Sequence, residues 1–214
     1  PSGNFGNIYA GFLARSMGVP IRRLILATNE NNVLEEFFTT GIYRPRSAAD
    51  TLATSSPSMD ISKASNLERF IWALLGPEAF VQRWAELEST GTLDLRDQLP
   101  RLGEDFGFVA GTSSHADRLE AIRSVKERSG RLIDPHTADG ITVALRTMEP
   151  GFPTLVMETA KAAKFPQTVA EALGTEPETP AVIADLLAQP QKVETIDNEE
   201  APLRHLIEER ALTS

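Results

Sequence analysis

The chain has 214 residues, and its 21 Lys and Arg against 30 Asp and Glu give a formal net charge of −9 at pH 7. An acidic surface repels phosphate backbones, so this charge argues against a nucleic-acid-binding protein. The 41% of hydrophobic residues and 24% of charged residues are ordinary for a globular protein, whereas the absence of cysteine excludes disulfides, thiolate metal sites and a cysteine nucleophile.

Nothing in the sequence indicates a membrane protein or a metal site. No apolar run approaches the roughly 20 residues that a membrane-spanning helix needs, and no basic-then-apolar leader opens the chain. The three histidines are too far apart in sequence to suggest a local metal site. We therefore expect a soluble, cytoplasmic protein without a membrane partner. The sequence has no initiator Met and opens in a loop that ordinarily follows a strand, so we also expect a piece of a longer protein.

The first forty residues have the pattern of a helix, a strand and a second helix. Apolar residues recur at helical spacing up to Met17, and Gly18 then stands where a left-handed carboxyl-terminal cap is wanted, which predicts a helix over residues 4–17. The apolar run at residues 24–27 predicts a buried strand, and Asn29 or Asn31 can cap the next helix. This order is typical of a parallel α/β sheet.

A long loop and a further series of helices and strands follow. Residues 41–63 are rich in Gly, Pro, Ser, Thr and Asp, and irregular loops of this length are usually functional or mobile. Apolar spacing then predicts helices beginning near residues 67, 77, 114, 134, 165 and 202, and strands over residues 106–110 and 154–157.

These elements suggest five parts of the chain. They are a phosphate-cradle helix with the start of an α/β domain (1–40), a long active-site loop (41–63), a mainly helical subdomain (64–105), a second α/β region (106–174) and a carboxyl-terminal wrap with a helix (175–214).

The strongest chemical signal is the glycine-rich segment over residues 3–7 (GNFGN) at the mouth of the first helix. A helix N-terminus has unpaired N–H groups and a partial positive charge, so a phosphate docked there is both hydrogen-bonded and charge-matched. Glycine lets the backbone approach closely and adopt a positive φ. The residues alone leave open an ordinary glycine turn capped by Ser2 or Asn4.

Two further residues could carry chemistry. Thr159 follows a predicted strand, where a hydroxyl lies at the carboxyl edge of a parallel sheet, although a residue so placed is more often a structural cap. His136 stands beside Asp134 and could act as a general acid or base, but the sequence DPHTA is also that of a turn and helix cap.

Six segments, taken in order, resemble the threonine synthase family. They are residues 1–8 (PSGNFGNI), 27–31 (ATNEN), 56–61 (SPSMDI), 65–69 (SNLER), 134–138 (DPHTA) and 159–165 (TAKAAKF). Their shared order makes the resemblance far more specific than any one segment. It covers most of the chain and is to the carboxyl-terminal part of the bacterial and fungal type of the enzyme.

The resemblance implies a fold-type II enzyme that uses pyridoxal 5'-phosphate. Its fold would be α/β, with the parallel sheet and flanking helices of the tryptophan synthase β type plus a helical insertion. Such an enzyme converts O-phospho-L-homoserine and water to L-threonine and phosphate, by γ-elimination of phosphate and β-addition of water. The cofactor of the family lies between two α/β domains, so the missing amino-terminal half of the same chain would be a partner of this one.

The same resemblance implies site residues. The cofactor phosphate would be held by Gly3, Asn4, Phe5, Gly6 and Asn7. Thr159 would lie near the pyridine nitrogen, and replacing Gly6 with Ala would crowd the phosphate or disfavour a positive φ. The substrate phosphate also needs donors, and the candidates for them in this chain are Ser55, Ser58, Asn66, Arg69 and His136.

The lysine that forms the Schiff base in this family lies upstream of Pro1. It is matched by none of the chain's lysines, Lys63, Lys126, Lys161, Lys164 and Lys192. We therefore expect no catalytic residue of the family in this chain, and no activity from the chain alone.

The sequence also departs from the family pattern, and alternatives stay open. Lys161 and Ala162 replace the family's His-Pro, and Glu158 stands where a small residue is expected, so no role of that His transfers here. One alternative is another fold-type II enzyme, such as a threonine dehydratase or a relative of cysteine synthase. The other is a non-catalytic α/β module that binds phosphate.

Overall fold

The structure, a computed structural model, describes residues 1–211 and divides into two compact units, Pro1–Glu178 and the chain from Thr179 onward. The strands are β1 (Leu24–Thr28), β2 (Ile42–Tyr43), β3 (Leu93–Asp94) and β4 (Phe108–Thr112). The helices of the first unit are α1 (Gly6–Ser16), α2 (Val33–Thr40), α3 (Leu67–Leu75), α4 (Pro77–Thr90), α5 (Leu99–Glu104), α6 (His115–Ser129), α7 (Pro135–Thr147) and α8 (Pro166–Leu173). Those of the second unit are α9 (Ala181–Leu187) and α10 (Glu200–Arg210).

The first unit is built around a parallel pair of strands with helices on both faces. β1 pairs with β4 in parallel, with Leu24 opposite Phe108 and Thr28 opposite Thr112. Because side chains alternate along a strand, one face of the pair joins the main apolar core with α1, α2 and α3. The other face meets α7, where a Cβ at Gly111 would lie 2.9 Å from Val143.

Two smaller features complete this unit. β2 and β3 form a short antiparallel pair at the two ends of the α3–α4 region. A second apolar cluster joins α6, α7 and α8, and its buried members are Ile122, Ile133, Ala138 and Ala172. Among residues 1–211, no helix has both the length and the apolar character needed to cross a membrane.

The structure corrects several expected elements. The predicted strand at residues 154–157 does not form, and Leu155 is 88% exposed. A strand needs a neighbour for its hydrogen bonds, and a cleft separates this segment from β1. The strand expected at residues 106–110 begins at Phe108, because Gly107 has φ +71° and ends the turn after α5.

Other elements lack a sequence signal or extend beyond the described chain. The sequence did not predict β2, β3, α5 or α9, which are only two to seven residues long. The last three residues of the predicted wrap, 212–214, lie outside the described residues.

Candidate functional site

The loop before α1 presents a row of free backbone N–H groups. The Ser2 N–H donates to the carbonyl oxygen of Ala27 at 2.9 Å, which holds the loop near the carboxyl end of β1. Within residues 1–211, the N–H groups of residues 3–8 have no protein acceptor. Such a row at a helix start, with its partial positive charge, suits an anion such as a phosphate.

Phe5 shapes this loop. Its φ of 60° and ψ of 9° lie in the left-handed region, which a bulky side chain rarely adopts. Its fully buried ring stacks on those of Phe38 and Phe108, with centroids 5.6 and 5.9 Å away. Backbone strain of this kind costs about 1–3 kcal/mol and persists where packing compensates for it, often at ligand-binding loops. The strain coincides here with the row of free N–H groups.

The two glycines of the loop have different roles from those expected. A Cβ at Gly3 would lie 2.7 Å from the Cα of Met59, so glycine is required where these two segments meet. A Cβ at Gly6 would lie 3.6 Å from Nδ2 of Asn66, an ordinary contact. The expectation of a positive φ at Gly6 was wrong, because Phe5 makes the left-handed turn and α1 has already begun at Gly6.

Asn4 ties the loop to the start of α3. Its Oδ1 accepts a hydrogen bond from the N–H of Ser65 at 2.5 Å, and its carbonyl oxygen accepts one from Nδ2 of Asn66 at 3.0 Å. The suggested cap of α1 by Ser2 or Asn4 was wrong, since neither side chain caps that helix and that of Asn4 is engaged at α3. The loop is therefore held from three sides, by β1, by α3 and by the segment around Met59.

Residues 53–60 form a strap that is held by buried polar side chains after β1. The Asp60 carboxylate accepts hydrogen bonds from Nδ2 of Asn29 at 2.8 Å, from Nδ2 of Asn31 at 2.9 Å and from the N–H of Thr54 at 2.8 Å. The suggestion that Asn29 or Asn31 caps α2 was wrong, because both buried side chains bind the strap and its flank instead. The strap lies against Gly3 through Met59.

Arg118 of α6 anchors the strap from within the protein. Its fully buried guanidinium meets both carboxylate oxygens of Glu30 at 2.9 Å and Oδ1 of Asp139 at 3.0 Å. Its Nε donates to Oγ of Ser55 at 2.8 Å, and Nδ1 of His115 lies 2.7 Å from the same oxygen. The hydroxyl of Ser55, a candidate for substrate binding, is therefore engaged by two protein neighbours.

The carboxyl group of Asp139 is the least satisfied member of this cluster. It is fully buried, and within the described chain its Oδ2 has no hydrogen-bond partner. Burial raises the pKa of Asp139 to about 6, although the charge of Arg118 acts in the opposite direction. Sequence reasoning missed Arg118, yet its position four residues before the buried Ile122 is a signal, because that spacing places a cation on the buried face of α6.

His136 is a second anchor of the strap. Its Nε2 accepts a hydrogen bond from the N–H of Ser58 at 3.0 Å, and its Nδ1 lies 2.9 Å from Oδ1 of Asp134. Because Nε2 accepts a hydrogen bond, it carries no proton, so the ring is the neutral tautomer with its proton on Nδ1. Asp134 also caps α7 through the N–H groups of His136 and Thr137. Both ring nitrogens are thus hydrogen-bonded. The segment therefore caps α7, as one interpretation of the sequence predicted, and it also holds the strap through His136.

The pKa of Asp134 reflects this arrangement. Burial of the carboxyl group is the largest influence and raises the pKa, but hydrogen bonds from His136 and Thr137 outweigh it, so that the pKa lies below its usual value. The ring of Phe165 packs on that of His136, with centroids 4.6 Å apart, and so connects the TAKAAKF segment to the anchor.

The remaining candidates are less constrained. Ser58 and Arg69 are exposed, and within residues 1–211 neither the Ser58 hydroxyl nor the Arg69 guanidinium has a hydrogen-bond partner. Thr159 is also exposed, and no hydrogen bond joins it to the loop over residues 3–8. Lys63 and Lys161 pair with nearby glutamates, and no lysine of the described chain donates a hydrogen bond to that loop.

Comparisons with known proteins agree on one family. The family model "Threonine synthase, C-terminal" matches residues 137–207. The threonine synthase of Methylobacillus glycogenes is 50% identical over 98% of this chain and 45% of its own length, and that of Corynebacterium glutamicum is 49% identical over 100% and 46%. The crystal structure of a PLP-bound threonine synthase from Brucella melitensis matches with a TM-score of 0.85 and 36% identity, over 98% of this chain and 44% of that one.

The resemblance and the α/β fold predicted from the sequence are thereby confirmed. The chain spans slightly less than half the length of the curated relatives it matches. It corresponds to the carboxyl-terminal part of proteins of the threonine synthase family.

Proposed function

We propose that this chain is the carboxyl-terminal part of an enzyme that converts O-phospho-L-homoserine and water to L-threonine and phosphate. The reaction makes the full-length protein a carbon–oxygen lyase that acts on a phosphate ester. The proposal is supported above all by the row of free N–H groups over residues 3–8, in a chain 50% identical to a named threonine synthase.

The loop fits the phosphate group of pyridoxal 5'-phosphate. Residues 3–7 combine close backbone approach at Gly3, a left-handed turn at Phe5 and unpaired N–H donors at the start of α1. These donors would hold the cofactor phosphate, and the hydroxyl of Thr159 would face the pyridine nitrogen. When bound, the cofactor supplies an electron sink for the carbanions that the elimination and addition steps require.

The strap and α3 would meet the substrate phosphate. Ser58 and Arg69 retain an unpaired hydroxyl and guanidinium among the described residues, and Asn66 stands at the start of α3 beside the loop. Ser55 and His136 are engaged within the protein, so their role would be to hold the strap in place. The lysine that binds the cofactor would lie upstream of Pro1, and this chain alone would be inactive.

The test uses the purified full-length protein with O-phospho-L-homoserine, and with L-threonine in a parallel reaction. Threonine synthase releases phosphate and L-threonine from the first substrate. A threonine dehydratase instead forms ketobutyrate from the second, and a relative of cysteine synthase forms neither product. A protein that binds no pyridoxal 5'-phosphate would favour the non-catalytic module. Turnover by residues 1–214 alone would overturn the assignment of the lysine.

A further inference from the structure

Three residues at and before the start of α8 each touch the strap or one of its anchors. The ring of Phe165, directly before α8, packs on that of His136 with centroids 4.6 Å apart. The hydroxyl of Thr168 donates to the carbonyl oxygen of Ser55 at 3.4 Å. Oε1 of Glu171 lies 2.8 Å from the ring of the histidine that begins α6. Because these three residues follow one another at intervals of three, they lie on one side of the helix.

The hydrogen bonds that join Glu171 to the strap have a defined direction. Arg118 can only donate, so Oγ of Ser55 accepts from its Nε at 2.8 Å. A carboxylate can only accept, so Nε2 of His115 carries the proton that faces Glu171. In the neutral ring Nδ1 is then the acceptor for the Ser55 hydroxyl, 2.7 Å away. The hydroxyl of Ser55 is thus fixed by a donor on one side and an acceptor on the other.

The backbone of His115 is held more firmly than its side chain. Its N–H donates to Oε1 of Glu30 at 2.8 Å, and the same carboxylate is bound by Arg118. The side chains of His115 and Glu171 are 44% and 53% exposed. Exposed pairs of this kind contribute little to stability, so the pair can be altered with little effect on folding.

We propose that His115, oriented by Glu171, is a positioning residue that fixes the Ser55 hydroxyl and so clamps the strap to α8. This inference rests on the proposed function, in which the strap meets the substrate phosphate. The segment that carries Thr159 leads directly into α8, and Thr159 would face the cofactor. The clamp therefore couples the position of the strap to that of the segment beside the cofactor.

The same types of side chain also occur in nucleophilic triads, in which a histidine takes the proton of a serine hydroxyl. Here Oγ of Ser55 also accepts a hydrogen bond from the Arg118 guanidinium, which withdraws electron density that an attack would need. The set is therefore a positioning device. Labelling of Ser55 in the full-length protein by phenylmethylsulfonyl fluoride, mapped by mass spectrometry, would overturn this assignment.

Hydrogen exchange of the full-length protein tests the clamp without reference to activity. In His115→Leu the Ser55 hydroxyl loses its acceptor, so the strap amides of Thr54 and Met59 should exchange at least about tenfold faster. His115→Asn is the conservative variant, because its Oδ1 can take the place of Nδ1, and it should restore most of the protection. Unchanged exchange in His115→Leu, or no restoration in His115→Asn, would overturn the proposal.

A matched pair of glutamate variants tests whether α8 takes part. Glu171→Ala leaves the ring of His115 without the carboxylate that orients it, so exchange of the strap amides should rise. Glu120→Ala removes an exposed carboxylate that pairs with Arg123 on α6, and should leave the strap unchanged. Equal exchange of the strap in the two variants would overturn the role of α8.

The kinetics of the full-length protein separate a positioning role from a merely structural one. His115→Leu should raise the KM for O-phospho-L-homoserine at least about fivefold with a smaller change in kcat, and His115→Asn should reverse most of this change. A fall in kcat at unchanged KM, or no change in either, would overturn the role of His115. If the full-length protein makes no threonine, the proposed function fails, whereas the exchange experiments still decide whether the strap is clamped.

Discussion

The two sides of β1 differ sharply in how their polar groups are satisfied. At its carboxyl end, Asn29 and the strap form a dense set of hydrogen bonds, and Arg118 joins them to α6 and α7. Among the described residues, Oδ2 of Asp139 alone lacks a partner in this set. Along the edge away from β4, Ile25 and Ala27 line a cleft, and their N–H groups have no acceptor within residues 1–211. The region that would bind ligands is thus held by side-chain hydrogen bonds, whereas the edge of β1 that faces the cleft is not.

The largest expected effect comes from replacing Arg118, whose buried guanidinium lies near the carboxyl end of β1. Replacing Arg118 with Leu leaves the buried carboxylate of Asp139 without its cation and the half-buried carboxylate of Glu30 with only the His115 N–H, which costs about 3–5 kcal/mol of the free energy of unfolding. Denaturant unfolding of the full-length protein measures it. Arg118→Lys is the matched control, which keeps the charge but loses the forked geometry, and should cost less. Equal stability of Arg118→Leu and the unaltered protein would contradict the role of Arg118.

The pH dependence of the same cluster provides the next test. The pKa of Asp139 is raised to about 6 in the folded protein, so the folded state binds its proton more tightly than the unfolded state does. The contribution of Asp139 to stability is therefore present below about pH 4 and is lost as the pH rises through 6. Asp139→Asn removes this titration, so the stability of the variant relative to the unaltered protein should increase by up to about 3 kcal/mol between pH 4 and pH 7. Unfolding curves at both pH values measure it, and a difference that does not change with pH would refute it.

Substitutions at Gly3 and Gly6 test whether contact with the strap determines how tightly the loop over residues 3–8 binds the cofactor. Gly3→Ala places a Cβ against the backbone of Met59 and should raise the dissociation constant for pyridoxal 5'-phosphate at least about tenfold, or about 1.4 kcal/mol. Gly6→Ala adds the same methyl group with room for it within the protein, and should have a smaller effect. Cofactor titration of the two full-length variants gives the comparison, and the reverse order would show that crowding of the phosphate at Gly6 dominates.

The smallest expected effect is at the second anchor. His136→Phe removes the acceptor for the Ser58 N–H and the hydrogen bond of Nδ1 to Asp134, but it keeps a ring to pack on Phe165. Loss of the hydrogen bond that holds the strap, about 1 kcal/mol, predicts a KM for O-phospho-L-homoserine that is raised about fivefold, with a smaller change in kcat. His205→Phe, in α10 of the second unit, is the control. A large fall in kcat with an unchanged KM would instead indicate that His136 takes part in the chemistry.

Local patterns in the sequence predict much of the first unit. The apolar spacing of α1 and the buried run of β1 are set by nearby residues, and the helix predicted near residue 114 begins with a capping box of Ser114 and Asp117. The strand predicted at residues 154–157 does not form, because a strand needs hydrogen bonds to a neighbour that is distant in sequence, and a local pattern does not show whether that neighbour is there.

The site was predictable only in outline. Glycine and asparagine identified the loop over residues 3–7, but the left-handed residue is Phe5, which tolerates that conformation because three other phenylalanine rings surround it in the core. Arg118 meets Glu30, which lies 88 residues away in sequence, and no local pattern indicates that pair.

The most direct test of the central claim is the mass of the full-length protein after borohydride reduction, followed by peptide mapping. We expect one pyridoxyl phosphate group per chain, attached to a lysine upstream of Pro1. This result would join the phosphate loop of residues 3–8 to a cofactor whose covalent anchor lies in the other half of the protein. Absence of the group, or its attachment to one of the five lysines of this chain, would contradict the account.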